Sequence, residues 1–228
     1  MSHFCVAVFH ERDQNIEELL APYNEDIEVE PYVEFSRQEA IDYAREHYET
    51  DGKTDEECWR MMANGHKFDA SGNIYTTYNP QAKWDWWTEG GRWDDLLRRH
   101  GLSERYGEFS ARVGDIPFTP DREAYLNAIE FWNKYIIGNE TRPVSFYTKE
   151  HYIDRYGTML EYAKACSEFI TYAVITPDGV WHSVGDMGWF GISSESYEEA
   201  RDWENHYRER FIDTADPDWI LTIVDCHI

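Results

Sequence analysis

Basic residues are scarce in this sequence: 21 lysines and arginines stand against 45 aspartates and glutamates, a formal charge of −24 over 228 residues. Phosphate backbones and anionic lipid surfaces carry the same sign, which argues against direct nucleic-acid binding and against attachment to membranes. Cysteine is sparse as well. Cys5, Cys58, Cys166 and Cys226 stand far apart and form no CxxC pair, so no zinc knuckle or dithiol redox motif is present. No apolar run approaches the roughly 18–20 residues of a membrane span, and the opening residues lack the basic and apolar regions of a signal peptide. The expected location is therefore the cytoplasm. Internal repeats, low-complexity tracts and linkers rich in proline, glycine and serine are also missing, so the expectation is one domain over 1–228.

Apolar and aromatic residues are abundant instead. Hydrophobic residues make up 42% and aromatics 16% of the chain, enough to build a sizeable core despite a mean hydropathy of −0.72. The runs Phe4–Phe9 and Trp219–Val224 read as short buried strands, expected in one sheet with the chain's two ends close together. Between them, Ser36 with Glu39, Thr54 with Glu57 and Ser196 with Glu199 fit the capping box, predicting helices over about 37–49, 55–63 and 196–211. Thr119-Pro120 predicts a helix to Ile137, and Thr148 opens another to about Ala165. Strands are expected at 73–78, 171–175 and 180–184, the last two joined as a hairpin by Thr176-Pro177-Asp178-Gly179. Strands dispersed among helices give an α+β fold with a mixed or mostly antiparallel sheet holding both terminal strands, and 119–165 as a helical insertion.

Three segments are candidates for chemistry. Four of the ten tryptophans fall in the stretch Lys83-Trp84-Asp85-Trp86-Trp87-Thr88-Glu89-Gly90-Gly91-Arg92-Trp93. Such a segment can stack a planar ligand on an indole while Arg92 holds an anionic group; equally, the tryptophans can be core and Arg92 can pair with Asp85, Asp94 or Asp95. The second segment, Gly185-Asp186-Met187-Gly188-Trp189, is rich enough in glycine for close backbone approach, yet matches no phosphate-binding fingerprint. The third is Asp225-Cys226-His227. Strand alternation puts Asp225 and His227 on one face, where a metal could be held with His3, or where they are simply polar residues at a strand end. The candidate ligand-binding set is Lys83, Trp84, Asp85, Trp86, Gly90, Gly91, Arg92, Trp93, Asp186 and Trp189.

Three separated pieces, Met1-Ser2-His3-Phe4, Asn79-Pro80 with Lys83–Trp86 and Gly90–Trp93, and Thr222–His227, together resemble a protein family that recurs in phage and prophage genomes. The resemblance also touches Gly185–Trp189. It implies genomic context and a bacterial host, but no activity and no cofactor. By analogy of setting, a small acidic phage protein is expected to act against host defences. Three functions follow as expectations: a binding protein for a nucleotide-like ligand in a pocket of tryptophan, glycine and arginine; an acidic protein that blocks a basic site on a host enzyme; and a hydrolase using a metal or carboxylates, with Asp85 or Glu89 as base. The sequence leans toward a protein that is not an enzyme.

Overall fold

The computed structural model describes residues 2–103, 109–138, 140, 147–188 and 192–228. Its contacts divide the chain into two compact units, Met1–Pro22 with Lys83–Ile228, and Tyr23–Ala82. The larger unit opens with β1 (His3–His10) and α1 (Ile16–Leu20); the smaller one contributes β2 (Tyr32–Phe35), α2 (Arg37–His47), α3 (Asp55–Ala63), β3 (Lys67–Phe68) and β4 (Ile74–Thr76). The larger unit resumes with β5 (Trp86–Glu89), α4 (Leu96–Arg99), β6 (Ser110–Arg112), α5 (Arg122–Phe131), α6 (Lys149–Tyr156) and α7 (Met159–Ser167). It ends with β7 (Ala173–Ile175), β8 (Trp181–Ser183), α8 (Tyr197–Tyr207) and β9 (Ile220–His227).

The fold is α+β, and both terminal strands lie in one mixed sheet of the larger unit, ordered β5-β9-β1-β7-β8. β1 and β9 pair antiparallel over their full length, from His3 opposite His227 to His10 opposite Ile220. β1 pairs parallel with β7, and β7 forms the expected hairpin with β8. The outer edge of β9 is covered by two short strands placed end to end, β5 against 224–227 and β6 against 220–222. Side chains alternate across the sheet. One face carries Cys5, Ala7, Phe9, Leu221, Ile223 and Val174 into the main core, closed by Leu96 and Leu97 of α4 and by Trp203, Tyr207 and Phe211. The other face buries Phe4, Val6, Val8, Val224 and Cys226.

The smaller unit has its own three-stranded sheet, β2-β4-β3, and a core of Ala40, Ile41, Ala44, Cys58, Trp59, Ala63 and Ile74. Its separate core leaves no linker-like signal in the sequence. All three capping boxes form as read, with Glu39, Glu57 and Glu199 each returning a carboxylate to the cap backbone.

Two helix expectations are corrected. The helix expected from Thr119-Pro120 starts later, at a cap made by Asp121, which accepts from the backbone of Glu123 and Ala124, and it finishes in a wider π turn over Trp132–Ile136. Asp121 takes both orphan amides directly, so the aspartate and not the threonine is the better cap. The single helix expected over 148–165 is two, because Gly157 adopts φ 71° and Thr158 caps a fresh start. Among the described residues no helix is long and apolar enough to cross a membrane.

Candidate functional site

The register of β1, β9 and β5 sets three aromatic side chains in one row. His3 is the direct partner of His227, and His227 is the direct partner of Trp86, so the three share a face at one end of the sheet. The ring centroids of His3 and His227 lie 5.1 Å apart, edge to face, and those of His3 and Trp86 6.3 Å apart. The next row on that face holds Cys5, Asp225 and Thr88.

Each histidine is held by a carboxylate through Nδ1. His3 Nδ1 lies 2.8 Å from Asp225 Oδ1, and His227 Nδ1 lies 2.6 Å from Asp85 Oδ1. Asp225 is 2% exposed and satisfied at both ends, since its Oδ2 accepts from the backbone N–H of Arg92 at 3.1 Å. That contact depends on glycine. Gly90 and Gly91 take φ 66° and 55°, and a Cβ on Gly91 would sit 2.5 Å from the Cβ of Asp225. A short 3-10 turn over Gly91–Trp93 follows, presenting the Arg92 amide inward and its side chain outward. A carboxylate on Nδ1 fixes the ring and leaves Nε2 as the reactive nitrogen. The Nε2 of His227 is buried and has no hydrogen-bond partner among the described residues.

The aromatic segment divides by role. Trp84 is 5% exposed and donates its indole N–H to the carbonyl of Leu20, which makes it core. Trp87 is half-buried opposite Cys226 on the far face, and Trp93 packs against the main core. Trp86 alone of the four stands out, 51% exposed beside the histidines. Arg92 pairs with none of Asp85, Asp94 or Asp95; its exposed guanidinium makes no ion pair with a described residue. Lys83 is committed to Asp186, 2.5 Å away, which ties the second glycine-rich segment to the first; Trp189 lies outside the described residues. Ser2 reinforces this tie, its hydroxyl donating to the carbonyl of Gly188 at 3.2 Å.

The tryptophan segment and the Asp225/His227 pair, separate candidates in the sequence, therefore form one cluster. The pairings of His3 with Asp225 and of Asp85 with His227 are hidden in the sequence because they bridge strands more than 100 residues apart. Thr88, which no motif flags, is the cross-strand partner of Asp225. Same-face parity on two strands that had to pair is the signal the sequence offers.

A metal held by His3, Asp225 and His227 has little to bind, because Asp225 commits both oxygens to His3 and Arg92. Among the described residues no group of three or more His, Cys, Asp or Glu side chains could hold a metal ion. The two nearby thiols are poor nucleophiles: burial, reinforced by the Asp225 charge, pushes the pKa of Cys5 and Cys226 far up. A groove of about 880 Å³ opens elsewhere in the larger unit, lined by Trp181, His182, Glu199, Asp202, Trp203 and Phe211. Comparison of the chain with family models, curated proteins and solved structures finds no match.

Proposed function

We propose that the end of the sheet formed by β1, β9 and β5 binds a small, planar, anionic ligand of nucleotide type. The observation that carries this reading is the placement of the half-exposed Trp86 indole in one row with His3 and His227, a few residues from the Arg92 guanidinium that no described carboxylate pairs. An indole face offers stacking to any base, and a guanidinium offers two parallel hydrogen bonds to a phosphate. In an acidic protein these groups concentrate the attraction for an anion at one place, which suits a small ligand better than a polyanion. The setting we infer from the resemblance is an accessory protein of a phage or prophage that withdraws such a ligand from a host defence.

Isothermal titration of a nucleotide panel tests this site. Trp86→Ala and Arg92→Ala are each expected to weaken the best ligand by about tenfold or more, on the scale of about 1–3 kcal/mol per stacked base. Unchanged affinity in both variants would reject it.

A further inference from the structure

Resting on that ligand site, we propose that the two histidine–carboxylate pairs make it a phosphodiesterase centre for a small nucleotide ester, with His3 as general base and His227 as general acid. Both imidazoles are anchored at Nδ1, by Asp225 and Asp85, so Nε2 is the nitrogen each has left for proton transfer. The two are not equivalent. His3 keeps 18% of its side chain exposed and its Nε2 takes no hydrogen bond from a described residue, as a base that activates water requires. His227 is the deeper of the two, and its buried Nε2 lacks a partner among the described residues. A buried ring nitrogen without a hydrogen-bond partner is costly, and the oxygen of a departing ester would supply that partner. Trp86, the cross-strand partner of His227, is half exposed and offers the base of the ester a stacking face beside the two imidazoles.

In the reaction, water gives a proton to Nε2 of His3 while its oxygen forms a bond to phosphorus. The bond from phosphorus to the ester oxygen breaks, its electron pair stays on that oxygen, and the oxygen takes the proton of Nε2 of imidazolium His227. The ester is cut into a phosphomonoester group and a hydroxyl, which stay on one ring-opened molecule when the substrate is cyclic. His3 then loses one proton to solvent and His227 gains one, which restores both. Asp225 and Asp85 are positioning residues: one is locked by the Arg92 N–H, and the other holds the His227 ring at Nδ1. Arg92, whose backbone N–H is held by Asp225 and whose side chain is exposed, is the cation available to supply charge to the phosphoryl oxygens. With Cys5 and Cys226 held as thiols, direct attack by water needs no covalent intermediate.

The experiment incubates the full chain with cyclic mononucleotides and cyclic dinucleotides in excess EDTA, follows products by ³¹P NMR, and measures affinity for the same compounds by titration. The expected result is turnover in EDTA, with His3→Gln and His227→Gln each losing about 100-fold or more in kcat while affinity stays within a few fold. Asp85→Asn, at a side chain 33% exposed, keeps the fold and is expected to lower kcat with KM nearly unchanged. Binding without turnover overturns the catalytic proposal and leaves the binding site standing. Turnover that persists in both histidine variants overturns it as well. Absence of both binding and turnover removes the ligand site and this proposal together.

Discussion

At the scale of single residues, the site depends on one missing side chain. Gly91 combines φ 55° with a position where a Cβ would press on the Cβ and Oδ2 of Asp225. Gly91→Ala must therefore either strain the turn or displace the carboxylate that orients His3. The expected cost is roughly 2–4 kcal/mol of stability, read from urea unfolding, with the His3 imidazole signals shifted in the NMR spectrum. A change below about 0.5 kcal/mol with unmoved His3 signals would show that the turn does not support Asp225 in this way. Gly157, whose φ is 71°, has open space around its Cβ position, so an alanine there meets backbone strain alone and should cost less.

Among the elements, helix starts are the most legible in the sequence. A cap is a local arrangement between a hydroxyl or carboxylate and amides three residues on, and the boxes at Ser36, Thr54 and Ser196 all form. Ser196→Ala is expected to lower stability by about 1 kcal/mol, or a few degrees in Tm by calorimetry, since it uncaps the start of a helix whose Trp203 and Tyr207 sit in the main core. An unchanged Tm would mean that this helix start is held by packing alone. Helix breaks are less legible: Gly157 reads as one weak helical residue unless its neighbour Thr158 is recognised as the cap of a new helix. The hairpin at Pro177 and the alternation in β1 and β9 are equally local signals. Which strand lies beside which is not local, and so the sequence can name Asp85 as a candidate without showing its bond to His227.

Over the whole molecule, the charge of −24 shapes behaviour in solution. Many of the cations are already committed to ion pairs such as Arg37–Glu56, Arg155–Glu204 and Arg112–Asp218, and the remaining carboxylates repel one another. Raising sodium chloride from about 0.05 to 0.5 M shortens the Debye length to a few ångströms, and Tm is expected to rise by several degrees. A fall in Tm would show that the ion pairs outweigh the repulsion. The same architecture governs how the molecule comes into being. β9 is the shared partner of β1, β5 and β6, and it follows all three along the chain; the His3–Asp225 bond alone closes a loop of 222 residues. During synthesis, β1 waits with one apolar edge open until β9 arrives, so assembly of this sheet is a slow, long-range event in which chaperones have time to engage. The proposed centre cannot exist in any earlier intermediate, because the strand that closes the sheet also brings both the imidazole of His227 and the carboxylate that orients His3.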